Sequence, residues 1–438
     1  MLKNSYLMPH IPRFSAFLRP VRRLRLLLGA LTLSAFGHVS AFESLPPQYD
    51  GSMMPYDFEK CTPSEVPDSL QPFFINYVAR HGARFLSSEK KVTRLTKAVD
   101  KARAAGTLTS LGEDVATLID EVRRNTADRW GALDSVGCAE QQRLAAEMSA
   151  MWPSVTGSGV VQACATYVPR VVMSMYEFSH RLCSLNPDIQ IYTGEGHQYD
   201  SLLRFFTTNP VYVSYLNDKP WKKEYDAFVS ACVSAVPARA MFGDIFDEEE
   251  LRRLTLDIYG VLQSLRAAGL PAPTTRWMTA DDYRVCWQAA NLEHYYARSE
   301  NCFSREPAIA AIPLLRDIID TTDKAVRNEA SGEIPLKVAM HFGHAETLMP
   351  LLSLCDIEGC NAPNVTDASG VAAVWRDYDI VPLGANLEIV LLLAPSGTVY
   401  ALTRLNGRDV RVGDFTGPIV LWTELRDYWI GRVAQMSL

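Results

Sequence analysis

The chain has 438 residues, 43 Lys/Arg against 50 Asp/Glu for a formal net charge of −7, and 48% hydrophobic side chains. That length and apolar fraction suit one large globular domain or two smaller ones, and exclude a disordered or low-complexity chain. The acidic balance excludes nonspecific nucleic-acid binding, so any polyanion must be met by a local basic pocket working against the overall field.

The first 41 residues read as a removable export signal. Arg13, Arg19, Arg22, Arg23 and Arg25 precede an apolar stretch from Leu26 to Phe36, and Val39-Ser40-Ala41 offers small residues at a cleavage site. The apolar stretch is well short of the ~20 residues that span a bilayer. Every later apolar run is interrupted by charge, so no stable membrane span is expected. Beyond residue 41 the chain keeps 37 basic against 50 acidic side chains. The expected location is periplasmic or secreted, where disulfides are permitted. All nine cysteines lie beyond residue 41; Cys355 and Cys360 could close a small loop, and the odd count leaves at least one thiol over.

Phe73–Ala79 is predicted to be a buried strand. Helical periodicity follows at Glu89–Ala105, Leu111–Asn125 and Ala139–Trp152. Gly159–Thr166 reads as a short strand leading into a helix at Pro169–Leu185, with proline in its first turn. From about 190 to 330 the pattern is mainly helical, at Tyr199–Phe206, Lys222–Val236, Asp247–Ala268, Ala280–Ala297 and Ala308–Ala330. Strand character returns at Ile334–Phe342, Ala385–Ala394 and Val399–Leu405, with a helix at Glu346–Leu354. The expected class is α/β: an open mixed sheet flanked by helices, built from residues 42–190 and 331–438, with a smaller, mainly helical domain inserted at 191–330.

Chemistry concentrates at strand ends. Arg80-His81-Gly82-Ala83-Arg84 follows the first strand and sets an imidazole between two guanidiniums. An imidazole nitrogen can attack phosphorus, and arginines can hold phosphoryl oxygens by bidentate, charge-assisted hydrogen bonds. The competing reading is a solvated surface loop, which the strand-then-loop context disfavours. His341-Phe342-Gly343-His344-Ala345-Glu346 occupies the equivalent place after another strand. His344 could meet a phosphate oxygen, and Glu346 at a helix start could protonate a leaving oxygen. A core histidine with a helix-capping glutamate fits the hexapeptide about equally well. Three metal ligands, His341, His344 and Glu346, are disfavoured because they straddle a strand end and a turn. Arg170, in the first turn of the helix at Pro169, suits an anion or a surface salt bridge. Cys164, five residues before Arg170 plus one, has the spacing of a cysteine-phosphatase loop, but Tyr167, Val168 and Pro169 cannot wrap a phosphate in amides.

Together these motifs resemble the histidine phosphatase superfamily on its histidine acid phosphatase branch. His344-Ala345-Glu346, in place of the branch's usual His-Asp, is most similar to the multiple inositol polyphosphate phosphatases. Further matches are Gly131-Ala132-Leu133-Asp134 with Gly137, Tyr199-Asp200-Ser201-Leu202-Leu203-Arg204-Phe205-Phe206, and Pro382-Leu383-Gly384-Ala385-Asn386-Leu387. The resemblance implies an exported phosphomonoesterase, acting on inositol hexakisphosphate and its relatives, with no cofactor and no metal. It implies His81 as nucleophile, Glu346 as proton donor, and Arg80, Arg84, Arg170 and His344 as phosphate-binding groups. A broad acid or sugar phosphatase, or an inactive phosphate-binding relative, are the alternatives. Leu86 stands where many relatives have proline, which bears on loop shape. Lys90, Lys91 and Arg94, close to the nucleophile in sequence, are candidate contacts for further substrate phosphates, against the alternative of a solvated basic helix face.

Overall fold

The computed structural model describes residues 42–331 and 336–436. The predicted export signal at 1–41 lies outside the described residues. Residues 42–438 group as one compact unit. Eight strands form one mixed sheet in the order β3-β2-β4-β1-β5-β6-β7, with β8 beside β6. They are β1 Gln71–Arg80, β2 Gly159–Ala165, β3 Ile189–Glu195, β4 Leu336–Gly343, β5 Asn386–Leu393, β6 Val399–Leu405, β7 Arg408–Asp409 and β8 Ile419–Leu421. Strands β1 to β4 run parallel, whereas β5 pairs antiparallel with β1 and β6 with β5. This is the expected α/β class with a mixed, helix-flanked sheet.

Helices α1 Lys90–Ala104, α2 Ser110–Thr126, α3 Ser135–Met151 and the single turn α4 Pro153–Thr156 connect β1 to β2, and α5 Pro169–Leu185 connects β2 to β3. Between β3 and β4 come α6 Asp200–Leu203, α7 Phe205–Thr208, α8 Pro210–Asp218, α9 Lys222–Cys232, α10 Val236–Phe242, α11 Glu248–Leu262, α12 Ala280–Arg298, α13 Glu306–Ala310 and α14 Ile312–Ser331. After β4, α15 is Ala345–Leu354; α16 Val371–Val374 and α17 Asp377–Ile380 are short, and α18 Trp422–Met436 ends the described chain.

Strand β1 shows why its sequence is apolar at nearly every position from Phe73 to Ala79, with Asn76 the exception, donating to Thr322 Oγ1 at 2.6 Å. Ile75, Tyr77 and Ala79 face a core with Leu144 and Met148 of α3 and Met175 and Phe178 of α5. Phe74 and Val78 face the opposite core, with Leu314 and Ile318 of α14, Leu348 and Leu352 of α15, and Trp429 of α18. A strand covered on both faces has no polar side to alternate with. A third core joins Val92, Leu95 and Val99 of α1 and Val115 and Ile119 of α2 to Met241, Leu254, Ile258 and Tyr283 of α10 to α12. The helical group thus draws two helices from the β1–β2 connection as well as those from the β3–β4 connection.

Several elements differ from expectation. Ile189–Glu195, assigned mostly to the helical stretch, is the edge strand β3; only Ile189 in it is buried, so it carries little apolar signal. The segment at 199–206 is two single helical turns broken at Arg204. Helix α18 was not anticipated, although Trp422, Leu425, Trp429, Val433 and Met436 form its buried stripe. All nine cysteines are thiols; Cys355 and Cys360, offered as a pair, are separate buried groups.

The loop after β1 packs directly on the start of α3, where the Asp134 side chain accepts from the Gly137 amide at 2.8 Å. A Cβ on Gly82 would lie 2.7 Å from the Gly137 carbonyl oxygen and 2.9 Å from its Cα, both backbone atoms that cannot step aside. Gly82→Ala is therefore expected to destabilise the protein by about 1–3 kcal/mol through overpacking. Thermal unfolding of the variant checks this, and an unchanged Tm would contradict the close approach.

Candidate active site

Parallel pairing of β1 with β4 puts Arg80 opposite Gly343, and parallel pairing of β2 with β4 puts Ala165 opposite Phe342. The Arg80–Arg84 loop, His344 and the Thr166–Arg170 turn therefore leave the sheet side by side, at the carboxyl ends of three adjacent strands. Open α/β sheets characteristically bind ligands there.

His81 and His344 are each 3% exposed, with ring centroids 5.7 Å apart. His81 Nδ1 lies 2.9 Å from the Gly82 carbonyl oxygen. A carbonyl can only accept, so Nδ1 carries the proton and Nε2 keeps its lone pair. Burial, reinforced by the charges of Arg170, Arg80 and Arg84, holds His81 well below the usual imidazole range. It is a neutral base. His344 is lowered to about 3 by burial, against the pull of Glu346 and with Arg170 and Arg204 adding to the effect. Its Nε2 lies 3.2 Å from Thr166 Oγ1, and its Nδ1 lies 3.4 Å from Arg170 Nη2.

The three arginines crowd one another. Burial first, and then the neighbouring guanidiniums, lower Arg80 to about 10 and Arg84 to about 9. Arg80 Nη1 donates at 2.5 Å to the carbonyls of Ser52 and Val381, which fixes its fork. The Nε atoms of Arg80, Arg84 and Arg170 are all buried without a partner. An unpaired buried donor costs about 1–3 kcal/mol, so these donors are available to an anion.

Glu346 sits in the first turn of α15, 4.0 Å from Arg298 Nη2 at the end of α12. Burial would raise its carboxyl, but Arg298, His344 and Arg80 outweigh it and hold the group at about 2. Arg298 has no motif around it and was not foreseen.

The remaining sequence candidates divide. Lys91 lines a cavity of about 240 Å³ next to Arg84, together with Ser87, Gln263 and His294. Lys90 is exposed at the start of α1 and does not line it. Arg94 is held by Asp257 of α11 in a bidentate ion pair, with Nε 2.6 Å from one carboxylate oxygen, and does not line the cavity either. His294 does line it and also meets Asp377 at 2.9 Å. His341 turns to Asp317 of α14 at 2.9 Å, while His344 meets Thr166 and Arg170, so the three metal-ligand candidates do not converge on shared partners. Cys164 lies within β2 in register with His341, and burial pushes its thiol up to about 12. Leu86 is buried, and its carbonyl accepts from the Gly131 amide at 2.7 Å.

One positioning residue was invisible in sequence. Glu140, inside α3 and 5% exposed, accepts from the Ala83 amide at 2.7 Å and the Tyr56 amide at 2.9 Å, one on each oxygen. Burial raises it to about 7 despite those donors. It tethers the His81 loop to α3. Glu140→Gln can satisfy only one amide and points an NH2 at the other, so a loss of about 1–3 kcal/mol is expected. Urea unfolding checks the stability, and wild-type stability in the variant would contradict the tether.

No family model matches the chain. The multiple inositol polyphosphate phosphatase 1 of Gallus gallus is 24% identical over 350 residues, 75% of this chain and 73% of that protein. Among solved structures, the Bifidobacterium longum multiple inositol polyphosphate phosphatase in complex with inositol hexasulfate matches with a TM-score of 0.74 at 16% identity, covering 87% of this chain and 97% of that one. The phytase from D. castellii matches at 0.60 with 14% identity, over 88% and 85% of the two chains. A likeness spanning three quarters of the chain, on a fold shared nearly end to end, makes this a histidine acid phosphatase-like protein, akin to the multiple inositol polyphosphate phosphatases.

Proposed function

We propose that this phosphoric monoester hydrolase is exported and acts on inositol polyphosphates through a phosphohistidine at His81. The observation that carries the mechanism is a neutral imidazole with a free Nε2 among three arginines whose Nε donors are unpaired. The basic, apolar, then small-residue order of the first 41 residues supports export. The relatives' substrates, and the cavity that Arg84 lines together with Lys91 and His294, support a substrate with several phosphates. A cavity of about 240 Å³ with cationic lining also admits a sugar phosphate, so substrate range is the first thing to measure.

In the first half-reaction His81 Nε2 attacks phosphorus in line. The new P–N bond forms as the ester P–O bond breaks, and Glu346 gives its proton to the departing oxygen. Arg80, Arg84, Arg170 and His344 hold the three equatorial oxygens, a charge-stabilising role fixed before the reaction starts. In the second half, Glu346 takes a proton from water, which attacks phosphorus and releases His81. Guanidiniums supply the positive charge that divalent cations supply elsewhere.

Arg298, His344 and Arg80 hold Glu346 as a carboxylate, so its proton must arrive with the substrate. A phosphate monoanion brings one, and its negative charge offsets the field that depresses Glu346 and His344. Activity should therefore follow the monoanion. kcat/KM is expected to be level from about pH 4 to 6 and to fall about tenfold per unit above the second phosphate pKa near 6. A loss of rate below pH 6.5 would mean His81 titrates in the ordinary imidazole range.

Phosphate release from inositol hexakisphosphate in EDTA tests the whole reading. Wild type and Cys164→Ser should turn over, and His81→Ala should lose at least about a thousandfold in kcat. Turnover of aryl and sugar phosphates alone would leave the chemistry standing and remove the inositol substrate. Loss in Cys164→Ser with activity in His81→Ala would overturn the nucleophile. Glu346→Gln should cost about 10²- to 10⁴-fold on inositol phosphates and far less on p-nitrophenyl phosphate, whose leaving group departs without a proton. Equal losses on both would contradict the donor role.

A further inference from the structure

Asp377 opens α17, is 1% exposed, and belongs to none of the motifs at the strand ends. A carboxyl so deeply buried is costly unless donors meet it. Three do. Its Oδ1 accepts from Trp287 Nε1 at 2.9 Å, and its Oδ2 accepts from the Ser52 amide at 3.1 Å and from His294 Nδ1 at 2.9 Å. Trp287 and His294 belong to α12, whereas Ser52 lies in the 3-10 segment Pro47–Met53, near the start of the described chain. The approach of that segment depends on Gly51. At its φ of 60 a Cβ would stand 3.1 and 3.2 Å from the two Asp377 oxygens and 3.0 Å from Cδ1 of Trp287.

The main chain of Asp377 is engaged as well. Its amide donates to Asn291 Oδ1 at 2.8 Å, and its carbonyl accepts from the Val381 amide at 2.8 Å. Ser52 and Val381 are the two residues whose carbonyls accept from Arg80 Nη1. Each therefore turns its carbonyl to Arg80 while its own amide is tied to Asp377, one to the side chain and one to the main chain. With both Nη1 hydrogens committed, the guanidinium plane is set and the buried Nε is left for an anion. Asp377 also acts on the charge of Arg80. Burial lowers that guanidinium, and the charges of Glu346, Asp377 and Glu140 work against the lowering.

We propose that Asp377 is a positioning residue for phosphoryl transfer: by binding the amides of Ser52 and Val381 it aims the Arg80 fork at the group being transferred. The inference rests on the phosphatase reading above. A donor stabilises charge in the transition state only while it is held in place, so loosening its support lowers the rate without removing the donor. Arg80 meets the phosphoryl group that all substrates share, and the effect of Asp377 therefore extends to a simple monophosphate.

The test is a double-mutant cycle between Asp377→Asn and Arg80→Ala, read as kcat/KM on p-nitrophenyl phosphate below the melting temperature of every variant. The asparagine keeps one acceptor oxygen and sets an NH2 against the donors at the other. With Arg80 present, Asp377→Asn should lose about 10- to 100-fold, the size of one charge-assisted hydrogen bond. In the Arg80→Ala background the same change should cost less than about twofold, because the group it positions has gone. Asp379→Asn, at a half-buried carboxyl on the same helix, should cost less than about twofold in either background. Asn291→Ala is the second variant should Asp377→Asn fail to fold: it frees the Asp377 amide without touching the carboxyl, and the same dependence on Arg80 is expected of it. Equal losses in both backgrounds would assign Asp377 to stability alone and overturn the proposal, as would no loss at all or a matching loss in Asp379→Asn. Where a double variant turns over too slowly to measure, the Kd for inorganic phosphate by calorimetry is compared across the same cycle and decides in the same way. Absence of turnover of both p-nitrophenyl phosphate and inositol hexakisphosphate by wild type would instead sink the phosphatase reading itself.

Discussion

Like charges held together in a buried cluster govern this structure. Arg80, Arg84 and Arg170 converge on His81, each with a buried Nε that has no partner. Such an arrangement opposes folding, since buried cations repel and unpaired donors cost free energy. The same features are useful to a phosphoryl-transfer enzyme. The field keeps the His81 imidazole neutral, and in the proposed reaction it presents donors where charge gathers as the ester breaks. An arriving phosphate relieves the repulsion. Stability has been given up locally for affinity toward the transition state.

The scaffold supplies the opposing free energy. β1 and β4 are neighbours buried on both faces, so their ends cannot drift apart without exposing two cores. The loop between His81 and Arg84 is pinned from the other direction. Gly82 lies against Gly137, and Glu140 takes the Ala83 amide. The Arg80 fork is fixed by the carbonyls of Ser52 and Val381, far apart in sequence. Rigid placement of groups that repel one another is the condition for preorganised electrostatics. The helical elements add to this: α12 brings Arg298 to Glu346 and His294 to the cavity, so the proposed proton donor and the pocket wall both depend on packing outside the sheet.

Much of the site was legible because its residues cluster in short motifs at strand ends. Arg80, His81 and Arg84 fall within five residues, and His344 and Glu346 within three. β1 was legible because both its faces are buried. β3 was not, since an edge strand with one buried residue has no pattern to read. Glu140, Arg298 and His294 are single polar residues inside helices, and only tertiary packing says what they face. Arg94 shows the opposite failure. Its closeness to His81 in sequence promised a substrate contact, but Asp257 of α11, distant in sequence, claims it. Periodicity finds the face of a helix, while long-range pairing decides what that face does.

In the proposed reaction, phosphate passes through a covalent bond to His81. Mixing enzyme with inositol hexakisphosphate for milliseconds, quenching in alkali, where phosphohistidine survives, and mapping peptides by mass spectrometry tests it directly. A transient phosphate is expected on the peptide carrying His81, rising before free phosphate and disappearing as substrate is exhausted. Phosphate on Cys164, or full turnover with no phosphorylated histidine at any time, would contradict it.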